Sequence, residues 1–360
     1  MKKLFIPLVM AAAVAMTGCS EDFEVAAPYK DVTVVYGILD PLDTAHYIRI
    51  QKAFLDENKS AIDMSKVPDS SYYESLTVTM KEFSDARGAA YVRSVPLSAV
   101  DMNFEGFVKD QPANEQGFFQ SPNKAYKFKM DLNPNYSYRL IIQNNKTGNI
   151  DSSDLLLMVN PDSTKGTNRF YISAFNNATY SIDFSKTALN NPTFSLLGNA
   201  PLNSRFLEGV IRFHYVEKNI STSATTAKYV DYKFDRDDQP TTQFKLEVNT
   251  RNIYGYLADA IGTAPANVER YMDSCDVFVY AGDNYLYTYE QVNMAQSGGI
   301  AADQIKPYYT NIKSTSKAVG IVGSRTYRVF NNAPLTQATV DSLMTNPITS
   351  GLNIKGRSDK

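Results

Sequence analysis

The run Leu132-Asn133-Pro134-Asn135-Tyr136-Ser137-Tyr138 decides the fold of the first half of the chain. Its Asn and Pro residues supply turn chemistry, because the proline ring fixes φ and Asn side chains bond nearby backbone. Directly after it Tyr138, Leu140 and Ile142 occupy alternate positions, the period of a half-buried strand. A tight turn therefore feeds a strand whose first inward residue is a tyrosine.

Upstream, Val32–Leu39 reads as a strand, Asp40-Pro41-Leu42-Asp43 as a turn, and His46–Phe54 as the returning strand. Leu76–Met80 alternates cleanly, and Tyr126–Met130 precedes the turn. Residues 55–72 are polar and read as loop. Residues 101–124 read as a longer loop with a short strand around Phe118 and Phe119. Against this background the Leu-x-Pro-x-x-x-Tyr spacing of Leu132, Pro134 and Tyr138 resembles the tyrosine corner of fibronectin-III and immunoglobulin-like sandwiches. There the hydroxyl bonds back to backbone at the E–F corner. The resemblance implies a β-sandwich over residues 31–160.

Pro161–Thr167 reads as a linker, and residues 168–350 as a second domain. Its strands are Arg169–Ser173, Glu208–Glu217, Lys228–Phe234, Gln243–Val248, Asp276–Ala281, Tyr285–Tyr289 and Ala318–Phe330. In Gln243–Val248, Phe244, Leu246 and Val248 form one apolar face, which suits an antiparallel sheet with one wet side. Two helices fit the 3.6-residue period. One is Asn252–Ile261, weakened by Gly255; the other is Gln337–Thr345, with Thr336 as N-cap and Pro347 beyond its end. The fold class is mainly β: an N-terminal fibronectin-III/immunoglobulin-like β-sandwich, then a β-rich α+β domain with one or two short helices.

The start of the chain gives an address. Residues 1–18 have a positive Lys2-Lys3 segment, an apolar run of about 13 residues and a small residue before the cut, as secretory leaders do. That run is too short for a bilayer core needing about 20 residues. Met16-Thr17-Gly18-Cys19 resembles the bacterial lipobox, which implies lipidation of Cys19 by diacylglycerol and then by a further acyl chain such as palmitate. Such chains add about 0.8 kcal/mol of membrane affinity per buried CH₂. Ser20, Glu21 and Asp22, leading the acidic tether of residues 19–30, resemble the surface-export signal of Bacteroidota lipoproteins. The implied location is the outer membrane, lipid-anchored and facing the cell exterior.

Without the leader, 34 basic side chains face 38 acidic ones, a formal charge of −4 with no basic cluster, which argues against nucleic acid. Of two cysteines only Cys275 remains beyond the anchor, so no intramolecular disulfide is expected. The two histidines, His46 and His214, lie far apart and read as half-exposed strand residues, too few for a zinc site. Asp235-Arg236-Asp237-Asp238-Gln239 resembles a fragment of a calcium loop but lacks its Gly and terminal Glu, and reads as a solvated turn. Cys275 reads as a small packed hydrophobe. No nucleophile elbow, zincin pair or phosphate loop is present, so neither cofactor, metal nor catalytic residue is expected. A glycosidase-like carboxylate pair stays open, since no Asp or Glu stands out.

Tyr285, Tyr287 and Tyr289 would share one strand face, either as a glycan or peptide platform or as sheet packing. Tyr72, Tyr73, Tyr308 and Tyr309 lie in expected loops and are candidate ligand contacts. Finally, Val34-Val35-Tyr36-Gly37-Ile38-Leu39-Asp40-Pro41, His46-Tyr47-Ile48-Arg49-Ile50 and Gly320-Ile321-Val322-Gly323-Ser324-Arg325 together resemble a Bacteroidota surface-lipoprotein family of unknown function. Its members are often encoded beside TonB-dependent outer-membrane transporters. The resemblance implies a non-enzymatic accessory or binding subunit, with a TonB-dependent barrel protein as partner. The alternative is an adhesive or fimbrial-type structural protein.

Overall fold

The computed structural model describes residues 32–53, 61–108, 121–164, 170–173, 180–185, 192–297 and 309–356. In the first half the strands are β1 (Val32–Leu39), β2 (Ala45–Ala53), β3 (Leu76–Phe83), β4 (Tyr91–Asp101), β5 (Lys124–Lys129), β6 (Ser137–Asn144) and β7 (Ile150–Ser153). The short β8 (Leu156–Leu157) and β9 (Asn160–Thr164) follow. One sheet runs β1-β2-β5-β4 and the other β3-β6-β7, the ABED and CFG arrangement of an immunoglobulin-like sandwich. β4 serves both: Tyr91–Leu97 pairs with β3, and Ser98–Asp101 with β5. Between the sheets lie Val35, Ile48, Ile50, Met80, Phe128, Leu140 and Ile142, all buried. Each such side chain contributes about 1.5–3 kcal/mol by leaving water.

At the corner before β6 the Tyr138 hydroxyl accepts the Asn133 N–H at 2.8 Å. It also faces Asn133 O at 3.3 Å and Glu82 Oε1 at 3.1 Å, donating between them. Tyr138 is fully buried, so this hydroxyl satisfies groups that water cannot reach.

In the second half the strands are β10 (Tyr171–Ile172), β11 (Thr193–Asn199), β12 (Pro201–Leu202), β13 (Phe206–Asn219), β14 (Thr225–Lys233), β15 (Gln243–Asn249), β16 (Val268–Gly282), β17 (Ile312–Ser314), β18 (Ala318–Pro334) and β19 (Ile354–Lys355). The helices, in chain order, are α1 (Ala61–Ser65), α2 (Pro68–Ser71), α3 (Thr250–Ile261), α4 (Asn284–Ser297) and α5 (Gln337–Thr345). A long sheet, β14-β13-β16-β18, turns one face to a second layer made of β10-β11-β15, α3 and α5. Ile211, Phe213, Val277 and Val279 from the sheet meet Phe244, Leu246, Leu257 and Leu343 from that layer. Asn249 caps α3 through Arg251 N, and Thr336 caps α5 through Thr339 N.

β18 joins the two halves. Its first part lies parallel to β1, with Tyr36 opposite Ile321 and Leu39 opposite Ser324. Its second part lies antiparallel to β16, from Arg325 opposite Gly282 to Pro334 opposite Ser274. Gly320 makes this junction: its φ is +107°, and a Cβ there would sit 1.9 Å from Val35 O. Only glycine tolerates both that conformation and that approach. Two buried carboxylates flank the seam. Asp283 caps α4 through Leu286 N and accepts the Ser324 N–H, both at 2.8 Å. Asp40, at the end of β1, accepts Leu42 N at 3.0 Å, while its Oδ2 has no hydrogen-bond partner and lies 3.9 Å from Arg325 Nε.

Several elements differ from the sequence reading. Tyr285–Tyr289 is not a strand but the first turns of α4, because Asp283 caps it and Glu290–Ser297 continues with helix-compatible residues. The expected loop at 55–72 contains α1 and α2, the latter started by Pro68, whose missing N–H costs nothing at a helix start. Part of the expected linker, Pro161–Thr164, belongs to β9, which pairs with β12, its bend held by Asn160 Oδ1 accepting from Asp162 N and Ser163 N. β4 and β11 are strands in stretches to which the sequence reading assigns no element. Phe118 and Phe119 lie outside the described residues.

Candidate functional site

Two surfaces stand out. The first is the outer face of β14-β13-β16-β18. Strand alternation that sends Ile211, Phe213 and Tyr215 inward sends Val210, Arg212 and His214 outward. Directly across β14, Asp231 takes Arg212 in a two-pronged pair, with Nε at 2.7 Å and Nη2 at 2.8 Å. The hydrogen bonds to Asp231 raise the Arg212 pKa and those from Arg212 lower that of Asp231, so both stay charged. The Arg212 guanidinium lies 4.1 Å from the Tyr229 ring centroid and 5.6 Å from that of Phe278. His214 Nε2 lies 2.9 Å from Asp276 Oδ2. The Phe278 and Tyr280 rings stack at 6.1 Å, and Tyr280 meets Tyr327 at 5.9 Å. Tyr229 is 57% exposed and Val329 38%. Aromatic, arginine and apolar side chains in one patch match the composition of protein interfaces.

The second surface is a cleft of about 550 Å³ at one end of the sandwich. It is lined by Lys52 of β2, Asp69 of α2, Tyr72 to Ser75, Lys124 of β5, and Asn144, Lys146 and Thr147 around the β6–β7 hairpin. These are the B–C and F–G connections, which form binding loops in antibody variable domains. Lys146 pairs with Glu74, and that hydrogen bond lowers the Glu74 pKa. Lys124 Nζ sits 5.4 Å above the Tyr72 ring centroid. The Lys52 charge acts on Glu74 as well, more weakly than Lys146 does. The Tyr73 hydroxyl lies 3.1 Å from Thr33 Oγ1, so the chain enters β1 beside the cleft. Val32 comes thirteen residues after Cys19.

Of the candidate ligand contacts, Tyr72 is not an exposed loop residue. It is 5% exposed, with its hydroxyl donating to Pro122 O and accepting from Lys124 N, both at 3.2 Å, because α2 presses it onto the start of β5. Tyr73 is half-buried beside it. Tyr309 is half-buried elsewhere, its phenol pKa raised by burial. Tyr308 lies outside the described residues, as do Cys19, Ser20, Glu21 and Asp22. The helical turn separates Tyr285, Tyr287 and Tyr289. Tyr289 meets Tyr36 with hydroxyls 3.2 Å apart, while Tyr287 stacks under Arg205 at 4.0 Å. His46 is buried rather than half-exposed: its Nε2 bonds Met130 O at 2.9 Å, and burial lowers its pKa. His214 is half-exposed and Cys275 fully buried, its thiol pushed up by burial. In the Asp235–Gln239 turn, Arg236 pairs with Asp238 and Glu290. Among the described residues no three His, Cys, Asp or Glu side chains gather as a metal site.

The three cleft lysines stand at positions 52, 124 and 146, with no sequence signal to unite them. The outward aromatic positions did leave a signal, since Phe278 and Tyr280 alternate with buried Val277 and Val279 on a strand whose wet face should be polar.

This is a mainly β protein: an immunoglobulin-like sandwich joined through one long strand to a two-layered β-rich unit. No family model and no curated protein matches the chain. One solved structure with some likeness is the C-terminal globular domain of an oligosaccharyltransferase from Pyrococcus abyssi. Identity is 7% and the TM-score 0.19, over 81% of this chain and 43% of that one, so the chain spans less than half its length. A likeness at that level bears on neither fold nor function.

Proposed function

We propose that this chain is a non-enzymatic, lipid-anchored cell-surface protein that docks on an outer-membrane barrel of the TonB-dependent transport type as an accessory or binding subunit. Cys19 would hold it in the outer membrane, with Ser20, Glu21 and Asp22 directing it to the exterior. The observation that carries the reading is the outer face of β14-β13-β16-β18. There Tyr229, Arg212, Phe278, Tyr280, Tyr327 and Val329 form an aromatic and arginine-bearing patch on the solvent side. Contiguous aromatic rings on the solvent face of a sheet mark surfaces that partners cover.

The test is a mild-detergent pull-down from intact, surface-crosslinked cells, with a tag after Lys360. A barrel protein recovered in stoichiometric amount supports the reading, and Arg212→Glu with Val329→Asp should abolish that recovery while leaving the bait in the membrane fraction. Recovery of the bait alone from cells expressing the native chain overturns it.

A further inference from the structure

The cleft at the B–C and F–G end of the sandwich is a separate feature, and its charges do not cancel. Glu74 is taken up by Lys146. Lys124 stands over the Tyr72 ring, and Lys52 acts on Glu74 more weakly than Lys146 does. The lining thus sets Lys52, Lys124 and Lys146 against Asp69 and Glu74, an excess of one positive charge around a cavity of about 550 Å³, within the range of small-ligand sites. We propose that this cleft binds an acidic oligosaccharide, with a uronate carboxylate held by Lys52 and Lys124 and the sugar hydroxyls held by the amide and hydroxyl groups of the lining.

The lining distinguishes a sugar from a peptide. Peptide recognition rests on apolar anchor pockets or on adding a strand to an open sheet edge. Here Tyr72 lies beneath Lys124, Tyr73 is packed against the sandwich core, and the remaining groups are amides, hydroxyls and charges. β6 is paired on both sides, and Lys52 of β2 is paired to Thr33 of β1. A ligand rich in hydroxyls with a fixed negative charge meets the ammonium groups with its charge and Asp69 and the amides with its hydroxyls. The inference is independent of the barrel-docking reading, because it concerns the purified chain and a different face of the molecule.

The full-length lipoprotein, purified in detergent, is titrated calorimetrically with a hexamer of galacturonic acid, a neutral galactose hexamer and hexaglutamate. The uronate hexamer should bind, weaken as salt rises, and weaken about tenfold in Lys52→Ala, the loss of one charge-assisted contact. Lys52→Ala should melt with the native chain, since the residue lies near the end of β2 at the rim of the cleft. Equal binding of the neutral hexamer, equal or tighter binding of hexaglutamate, an unchanged affinity in Lys52→Ala, or no binding of the uronate overturns the proposal.

Discussion

Replacing Gly320 by Ala should be among the most damaging single-methyl additions this chain can receive. The new Cβ would lie 1.9 Å from Val35 O, 2.8 Å from its carbonyl carbon and 2.9 Å from its nitrogen. The first distance is about 1.5 Å short of an ordinary contact, and the obstacle is backbone in the paired strand rather than a side chain that can swing away. Holding a non-glycine residue at φ +107° adds strain of about 1–3 kcal/mol. Parting β1 from β18 forfeits two or three ladder bonds at about 1 kcal/mol each. Together these give a loss of about 4 kcal/mol, or about 5 °C in melting temperature for a chain of this size. Gly255→Ala is the control, because nothing lies within 4 Å of its Cβ position and it sits inside α3. That change should stabilise by about 1 kcal/mol. Urea unfolding of the two variants reads both numbers. A Gly320→Ala protein within about 1 kcal/mol of the native chain refutes the seam as described.

Tyr138→Phe removes a hydroxyl that serves Asn133 and Glu82 in a fully buried corner. It should cost about 2 kcal/mol by urea unfolding, and a cost below about 0.5 kcal/mol would mean the corner is ornamental. The seam carboxylates bear on pH. Burial pushes Asp283 up to about 7 and Asp40 up to about 6. A carboxyl raised in the folded state holds its proton while the unfolded chain has already lost one. Its contribution is therefore complete below about pH 4 and gone above its folded pKa. Asp40→Asn should accordingly gain about 1–2 kcal/mol over the native chain at pH 8 and nothing at pH 4, allowing for solvent screening. Equal differences at both pH values would contradict this.

Much of this architecture was legible because strands with one wet face alternate, and alternation is visible locally. Phe244, Leu246 and Val248 announced their sheet, and Thr336 announced the helix it caps. The turn at Leu132–Tyr138 announced a corner. What stayed hidden depends on contacts distant in sequence. Nothing local tells that Val34–Leu39 lies parallel to Val319–Ser324, nearly three hundred residues away, although both runs drew notice separately. Tyr285–Tyr289 alternates like a strand, and only the cap by Asp283 and the residues beyond Glu290 decide for a helix. His46 looked half-exposed until β5 and the Met130 carbonyl enclosed it. The cleft lysines come from two strands and a hairpin, so their meeting is a property of the sandwich alone.

Site-specific photocrosslinking from position 229 on intact cells addresses the docking face most directly. With a photoreactive residue replacing Tyr229, the half-exposed ring over Arg212, one dominant adduct to an outer-membrane barrel protein should form, and the same probe at exposed Phe104 on the sandwich should give none. Adducts of equal yield from both positions, or none from position 229, would contradict a docking role for that sheet face.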